Sequence, residues 1–432
     1  MKTKLYTFRT VAIWTLISLV LQFGVYFLLN NAIEKVMNPQ MGSTATAVAA
    51  QSAATPTTVT VNAVLPDLSL YNVQISYDKN YLAYMVDGVF KVFDIKNNKV
   101  VFTKAPDSGS GKNMGVLNYQ WLADRNSLIY FFAKMATVTT TTSSDTDNAR
   151  VSAKASSTPY NAEDPNATPE ITSTPEPTET PASTKKTSTS KTTTSTQQVT
   201  ELNTLDLTDN DSSTPDDRHY INLNSFPAGG QISQIASSTY TNLIYIDVKT
   251  GTTEKLMEID VMNNSKFLQL SGETITNIVT SDRYGTLYLE SKSGNTKQII
   301  ALNGTKRKTV SKNANYIILG GKSGVIYFGE VSNDKLTKIL SGTESSDNTK
   351  TLELSQIWEG EIPYKDMSAI IGSSGQVIIY GDKTAYVVYD GKENTVSFTG
   401  EKNYVSSDGA EQIQLTRSGY QTKLALNPLS IS

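Results

Sequence analysis

The stretch from Leu68 to Lys104 alternates short apolar segments with tight polar turns. It divides into four apolar segments, LYNVQIS, YLAYMV, VFKVFDI and KVVFT, separated by turns rich in Asp, Asn, Lys and Gly. Side chains alternate between the two faces of a strand, and these turn residues favour reversals of the chain. The pattern therefore predicts a four-stranded antiparallel meander.

This meander recurs along the rest of the chain. A second copy opens at Val116 to Ala133, and its third and fourth strands follow at Val199 to Asn210 and in the sequence RHYINL. Further copies lie at residues 232–259, 275–310, 316–331 and 368–398. Repetition of a four-stranded unit predicts an all-β fold, a β-propeller.

The last copy, Tyr404 to Leu426, contains only three strands. A strand from Thr57 to Val64 would supply the fourth, and closing the ring in this way removes an exposed sheet edge. About 315 residues remain outside one long insertion, or roughly 45 for each unit of a seven-bladed ring. We therefore predict about seven blades, with six and eight as alternatives.

The insertion, residues 138–198, separates strands two and three of the second copy. It is rich in Thr, Ser, Pro, Glu and Lys, and such a composition buries too little apolar surface to offset its conformational entropy. We predict that it is disordered and serves as a solvated spacer. A glycosylated or wall-embedded tract is the alternative, and Asn166-Ala167-Thr168 fits a glycosylation sequon.

Three turns carry a resemblance to a known family. They are Ser76-Tyr77-Asp78-Lys79-Asn80, which Tyr81-Leu82-Ala83-Tyr84 follows, and the later stretches Ser281-Asp282-Arg283-Tyr284-Gly285 and Ser406-Ser407-Asp408-Gly409. These turns resemble the Ser-x-Asp-Gly turns of exported propellers with WD40-like or TolB-type repeats, which also occur in the N-terminal domains of dipeptidyl-peptidase IV relatives. The resemblance implies blade geometry and no particular activity.

A membrane anchor is predicted near the N-terminus. The segment Val11 to Leu29 contains no charged residue, and as a helix it would be roughly 28 Å long, close to the thickness of a hydrocarbon core. Lys2, Lys4 and Arg9 precede it, so the positive-inside rule places the N-terminus in the cytoplasm. A cleaved signal peptide is the alternative, but the small-residue site at Ala47 to Ala50 lies far downstream.

These features divide the chain into four parts. Residues 1–10 are the cytoplasmic N-terminus, 11–30 a transmembrane signal anchor, 31–56 a flexible stalk, and 57–432 an extracytoplasmic propeller with the insertion at 138–198. The protein is thus expected to be an integral, single-pass membrane protein. A composition rich in Asn, Lys, Ile and Tyr suggests a Gram-positive bacterium.

Charge and residue counts exclude several classes of function. The chain has 38 basic and 41 acidic residues and a net charge of -3. It therefore lacks the excess of positive charge that is typical of proteins that bind nucleic acid. It has no cysteine, so disulfides, thiolate zinc sites and cysteine nucleophiles are excluded. We expect no cofactor and no metal ion.

Few groups for catalysis are present. The single histidine, His219, lies on a predicted outer strand, where a surface role is expected.

The acidic run Asp206 to Asp217 lacks the Gly and Glu of an EF-hand, so a solvated turn is expected. The sequence GGKSG, Gly320 to Gly324, lacks the first glycine and the helix of a phosphate loop and predicts a hairpin turn. Trp121 is expected in the core.

The remaining candidate site is the segment IWEGEIPYKD, which we predict as a loop between blades five and six. Aromatic rings and carboxylates on a loop suit contact with a sugar or a peptide. The candidate binding residues are Trp358, Glu359, Glu361, Tyr364 and Asp366. Alternatively, Trp358 packs between blades and the acids face water.

Two functions follow from these observations. The first is a non-catalytic surface scaffold or sensor that binds a protein or a glycan of the cell envelope. The alternative is a glycan-active enzyme that uses Glu359, Glu361 or Asp366, which requires these carboxyl groups to converge with separations of about 5–10 Å.

Overall fold

The computed structural model describes residues 61–107, 114–143, 190–207, 214–262, 264–346 and 352–429. These residues form seven four-stranded sheets, and within each sheet neighbouring strands are antiparallel. No helix among the described residues is long and apolar enough to cross a membrane. The predicted anchor and stalk, residues 11–56, lie outside the described part of the chain and remain predictions.

The sheets are the blades of a seven-bladed β-propeller. The first strand of the described chain is β1 (Val61–Leu65). Blade 1 contains β2 (Tyr71–Ile75), β3 (Tyr81–Val86), β4 (Val89–Asp94) and β5 (Lys99–Lys104). Blade 2 contains β6 (Gly115–Trp121), β7 (Ser127–Ser143), β8 (Ser190–Asp206) and β9 (Asp216–Asn222). Blade 3 contains β10 (Gln231–Ser238), β11 (Leu243–Thr250), β12 (Thr253–Ile259) and β13 (Ser265–Phe267).

The other blades follow in chain order. Blade 4 contains β14 (Glu273–Thr280), β15 (Leu287–Ser293), β16 (Thr296–Asn303) and β17 (Lys306–Ser311). Blade 5 contains β18 (Tyr316–Lys322), β19 (Val325–Ser332), β20 (Lys335–Thr343) and β21 (Ser355–Pro363). Blade 6 contains β22 (Ser368–Ile371), β23 (Val377–Tyr380), β24 (Thr384–Tyr389) and β25 (Lys392–Ser397). Blade 7 contains β26 (Lys402–Val405), β27 (Glu411–Ser418) and β28 (Gln421–Pro428) and is completed by β1.

The prediction of about seven blades is confirmed, and so is the closure of the ring. Strand β1 pairs with β28 in register, from Val61 opposite Leu426 to Leu65 opposite Thr422. An ion pair of 2.7 Å between Lys79 Nζ in blade 1 and Asp408 Oδ2 in blade 7 crosses the same junction. The N-terminal and C-terminal parts of the propeller are therefore joined in one sheet, which leaves no open edge between the first and last blades.

Hydrophobic cores lie between neighbouring blades. Seven clusters of buried side chains occur among the described residues, one at each of the seven blade junctions. Leu65 and Leu82, for example, are fully buried in the cluster between blades 7 and 1. Each sheet buries both faces because the ring is closed, which explains why the second strands read as almost continuous apolar runs.

The insertion joins strands two and three of blade 2, as predicted, but its ends differ from the prediction. Strand β7 continues to Ser143 and β8 begins at Ser190, so residues 138–143 and 190–198 are in strands. Their pairing is continuous up to Ser143 opposite Ser190. Threonine is β-branched and favours extended backbone, so the tract extends the hairpin at both ends. Residues 144–189 lie outside the described residues.

In the turns that carry the family resemblance, the aspartate makes two different sets of hydrogen bonds. Ser76 Oγ donates to Asp78 Oδ1 at 2.7 Å, and Ser406 Oγ donates to Asp408 Oδ1 at 2.6 Å. Both carboxylates also accept a backbone N–H, which closes an Asx-type turn. In blade 4, by contrast, Asp282 accepts from backbone N–H groups of the next blade's turn at 2.8 and 3.1 Å.

The strand order defines two faces of the ring. Face A carries the turns between strands one and two and between strands three and four of each blade, because antiparallel strands alternate in direction. Face B carries the turns between strands two and three and the connections between blades. Strand β1 begins at face A, and the insertion between β7 and β8 emerges at face B.

Candidate functional site: the central cavity

The five residues predicted as a binding site occupy two different positions. Trp358, Glu359 and Glu361 belong to β21, the outermost strand of blade 5, and not to a loop. Tyr364 and Asp366 follow in the connection to blade 6. The loop prediction is therefore wrong for the first three residues, and the segment lies at the periphery of the ring.

Trp358 packs between blades 5 and 6, as the alternative interpretation held. Its side chain is 6% exposed and belongs to the core cluster at that junction. A Cβ at Gly360 would lie 2.4 Å from the indole, so glycine leaves the space that the ring occupies. Pro363 ends the strand. An outer edge strand tolerates both glycine and proline because one side of its backbone needs no partner.

The three carboxylates of the segment face solvent. Glu361 is 69% exposed at its side chain and pairs with Lys335 Nζ at 2.5 Å. Glu359 Oε2 accepts from Gln356 Nε2 at 3.0 Å. Asp366 is exposed and has a left-handed backbone with φ of 57°. These partners are typical of surface turns and edge strands.

Tyr364 is more enclosed than its acidic neighbours. Burial, and then the nearby charge of Glu290, raises the pKa of Tyr364 to about 12. It packs against the same core cluster as Trp358. Its ring thus supports the junction between blades 5 and 6.

A cavity of about 360 Å³ lies at the centre of the ring. Its walls come mainly from the first strands of five blades, namely β2, β6, β10, β22 and β26. This volume is at the lower end of the roughly 300–1,000 Å³ of ligand pockets in proteins. The cavity is our candidate functional site.

A repeated side-chain amide organises the wall of this cavity. Each first strand of blades 1 to 4 has a bulge against its second strand, and an Asn or Gln follows the bulge. Its amide N–H group donates to a backbone carbonyl in the first strand of the next blade. These four bonds, the amide ladder, are Gln74 Nε2 to Tyr119 O (3.0 Å), Asn118 Nδ2 to Ile232 O (3.1 Å), Gln234 Nε2 to Thr276 O (2.7 Å) and Asn277 Nδ2 to Ile318 O (2.9 Å).

The ladder ends at blade 5, where Gly320 follows the bulge. A Cβ at Gly320 would lie 2.7 Å from Cγ1 of Ile371 in β22 of the next blade. The backbone of blade 5 therefore approaches blade 6 too closely for an amide side chain. The junction between blades 5 and 6 is packed by apolar contact in place of this hydrogen bond.

Three tyrosines line the cavity and stay un-ionised. Burial raises the pKa of Tyr119, of Tyr380 and of Tyr404. The phenol of Tyr119 donates to the backbone carbonyl of Asn72. Tyr380 and Tyr404 are only half-buried, so part of each ring is accessible from the cavity.

One amide in the cavity wall is left without a partner for its oxygen. Gln120 Oε1 is buried and accepts no hydrogen bond, and Gln120 lines the cavity on β6. A buried polar atom without a partner costs roughly 1–3 kcal/mol. A ligand that donates a hydrogen bond to Gln120 would therefore remove this cost.

The cavity wall carries no formal charge. Among the described lining residues none is Asp, Glu, Lys, Arg or His. The part of the chain that the structure describes also contains no group of three or more His, Cys, Asp or Glu placed to hold a metal ion. The wall thus offers amides, hydroxyls, aromatic rings and aliphatic groups.

The other residues that the sequence singled out have structural positions. His219 lies on the outer strand β9 and contacts Asn222 Oδ1 at 3.1 Å. Gly320 to Gly324 form the end of β18 and a hairpin turn, as predicted. Trp121 is 6% exposed, in agreement with its predicted core role. Part of the acidic run Asp206 to Asp217 lies outside the described residues.

The residues of the amide ladder were missed by sequence reasoning, although a signal was present. Each is the third residue of one of the sequences NVQIS, VLNYQW, ISQIAS and ITNIVT, which lie within the first apolar segments of four copies. An Asn or Gln at one fixed position of several first strands indicates a repeated polar role. The bulge that directs the amide towards the next blade is not visible in the alternation of apolar residues.

Comparisons with known proteins give only distant similarities. No protein-family model and no curated protein matches the chain. An oligogalacturonate lyase in complex with manganese has 11% identity and a TM-score of 0.46, over 86% of this chain and 91% of that one. The β-propeller domain of Cps50 (Swd1) from Myceliophteria thermophila has 9% identity and a TM-score of 0.43, over 84% and 99%. TolB from Acinetobacter baumannii has 10% identity and a TM-score of 0.35, over 53% and 60%.

These similarities are distant, and the assignment to the seven-bladed β-propellers depends on the strand order of the chain itself.

Proposed function

We propose that the protein is a membrane-anchored, extracytoplasmic β-propeller that acts as a non-catalytic binding scaffold. Its central cavity holds an uncharged polar group of a cell-envelope partner. The observation that carries the proposal is the uncharged wall of the cavity, which combines the unpartnered Gln120 Oε1 with the half-buried rings of Tyr380 and Tyr404. A wall of this chemistry favours hydrogen bonding and stacking over acid–base catalysis, since proton transfer at neutral pH needs groups with suitable pKa values.

The enzyme alternative finds less support. It depends on Glu359, Glu361 or Asp366, and the first two lie on the outermost strand of blade 5, whereas the cavity is lined by first strands. A glycosidase needs two carboxyl groups on either side of one bond. Release of sugar from envelope polysaccharide by the wild type, lost in Glu359→Gln or Glu361→Gln, would favour the enzyme.

The membrane anchor is tested by localisation. We expect the full-length protein with a C-terminal tag to sediment with membranes and to resist extraction at alkaline pH. The tag should be digested by protease added to cells from which the wall has been removed. A mature protein that starts near Ala50 and is released from the membrane would instead indicate the cleaved signal peptide.

Binding is tested by capture of partners with the full-length protein in detergent. The bait is the wild type, and the matched variant is Gln120→Trp, whose larger side chain fills part of the cavity. We expect an envelope component to be retained by the wild type and lost with the variant. Equal retention by both proteins would place the interaction elsewhere and contradict the proposed role of the cavity.

A further inference from the structure

Several hydrogen-bond donors that line the central cavity already donate to acceptors within the protein. The amide N–H groups of Gln74, Asn118 and Gln234 donate to backbone carbonyls of neighbouring blades. The Ser233 hydroxyl donates to Asp247, and the Trp121 indole N–H donates to Gln74 O at 3.3 Å. These five donor groups of the wall therefore already have acceptors within the protein, and the Gln120 amide and the phenols of Tyr380 and Tyr404 are among the polar groups left to face a ligand.

An acceptor, by contrast, is left over. Gln120 Oε1 is buried without a partner, so a ligand that brings a hydrogen-bond donor would pair with it. A hydroxyl group satisfies this requirement and can accept a hydrogen bond in return. A ligand rich in hydroxyl groups fits such a wall better than a peptide backbone, which presents as many acceptors as donors.

The aromatic residues add a second requirement. Tyr380 and Tyr404 line the cavity and are half-buried. Phenols are neutral at pH 7, and burial raises the pKa of both tyrosines further. Neutral rings offer flat apolar surface with a polar tip. The apolar face of a sugar ring, with its hydroxyl groups at the edge, matches this combination.

Charge and volume limit the ligand further. A phosphate or a carboxylate would enter without a cationic partner among the lining residues, and an unpaired buried charge is strongly unfavourable. The volume of about 360 Å³ accommodates about one or two sugar rings.

We infer that the central cavity binds a neutral saccharide, with a sugar hydroxyl donating to Gln120 Oε1 and a ring face against Tyr380 or Tyr404. This inference rests on the proposed function, because it names the ligand class of the same site. It assigns the partner to uncharged glycans rather than to proteins or anionic polymers.

The test is calorimetric titration of the full-length protein in a detergent without a sugar headgroup. The probes are neutral disaccharides of glucose, galactose and N-acetylglucosamine, a uronic-acid disaccharide, and an uncharged tetrapeptide. The variants are Gln120→Met, which keeps the volume and removes the acceptor, and Gln421→Ala, an exposed glutamine at the start of β28. Thermal unfolding of each variant verifies that the propeller is intact.

We expect at least one neutral disaccharide to bind the wild type and Gln421→Ala equally, and to bind Gln120→Met about tenfold more weakly. Binding of the tetrapeptide alone or of the uronic-acid disaccharide alone, weakened by Gln120→Met, would overturn the inference of a neutral saccharide and leave the proposed scaffold standing. Cleavage of a bound disaccharide would overturn the non-catalytic function and leave the ligand class standing. Disaccharide binding that Gln120→Met does not weaken would overturn the assignment of the cavity.

Discussion

Asp247 is a buried carboxylate behind the wall of the cavity. It lies on β11 opposite Gln234 of the amide ladder, is fully buried, and accepts a hydrogen bond from Ser233. Burial, helped by the charge of Glu254, raises the pKa of Asp247 to about 6, although Ser233 and Lys249 act in the opposite direction. The folded protein therefore holds a proton on Asp247 that the unfolded chain releases near pH 4.

The sign of the resulting pH dependence is unusual for an aspartate. Because the pKa is higher in the folded state, the contribution of Asp247 to stability is greatest below about pH 4 and is lost as the pH rises to about 6. We expect Asp247→Asn to raise the free energy of unfolding by about 1–3 kcal/mol at pH 7 and to change it little at pH 4. Urea unfolding between pH 4 and pH 8 measures this difference.

Asp390→Asn is the matched control for that experiment. Asp390 is exposed at the turn between β24 and β25 and has a left-handed backbone that asparagine also adopts. Its substitution should leave the pH profile of stability unchanged. A profile of Asp247→Asn that runs parallel to the wild type would show that Asp247 is not the titrating group.

Strand β1 is the element on which closure of the ring depends. Its residues Ala63 and Leu65 are buried against blade 1, at 3% and 0% exposure, whereas Asn62, which precedes Ala63, is exposed. We expect Leu65→Ala to lower the free energy of unfolding by about 2–5 kcal/mol, as for other buried leucines. Asn62→Ala, on the other side of the same strand, should change it by less than about 0.5 kcal/mol.

Urea unfolding and gel filtration together test this expectation. Partial loss of β1 exposes the edge of β28, so Leu65→Ala should also increase association of the protein at high concentration. Equal effects of Leu65→Ala and Asn62→Ala would mean that β1 does not lock the ring.

The blades could be predicted from the sequence because their turns and strands carry local signals. The segment from Leu68 to Lys104 shows four apolar segments with Asp- and Gly-containing turns between them, and all four became strands. The split of blade 2 was also predictable, since the LDLTDN segment repeats the pattern of FDIKNN. Strand β13 has three residues, too few for periodicity to reveal, and was not placed.

The candidate site was less predictable, because it is formed by residues that are distant in sequence. Gln120 belongs to β6, whereas Tyr404 belongs to β26 at the other end of the chain. Only closure of the ring brings them to one cavity. The residues chosen from sequence, such as Trp358 and Glu361, formed a dense local cluster, but aromatic and acidic residues also occur together on a packed edge strand.

At the scale of the whole molecule, we expect the propeller to fold without residues 144–189. The strands β7 and β8 pair up to Ser143 opposite Ser190, which is the spacing that a two-residue Asn-Gly turn closes. We expect replacement of residues 144–189 by Asn-Gly to leave the free energy of unfolding equal to the wild type or up to roughly 3 kcal/mol higher, since a shorter loop costs less entropy to close.

Thermal unfolding and the disaccharide titration provide the measurements for this replacement. Affinity for a ligand of the cavity should be unchanged, because the insertion emerges at face B from strands two and three of a single blade. A loss of cooperativity or of affinity would show that the insertion contributes to the folded ring. The wild type with its insertion intact is the reference.

The closing strand has a further consequence under tension. If the protein is anchored as proposed, a force can act between the membrane and a ligand bound in the cavity. This force would reach the ring through the residues that precede β1. That strand is held to β28 by five residue pairs, from Val61 to Leu65, and no hairpin turn connects the two strands, whereas β27 and β28 share eight pairs and a hairpin turn. Under a load applied through the residues that precede it, β1 should therefore detach first, so that unfolding begins at the junction of blades 7 and 1.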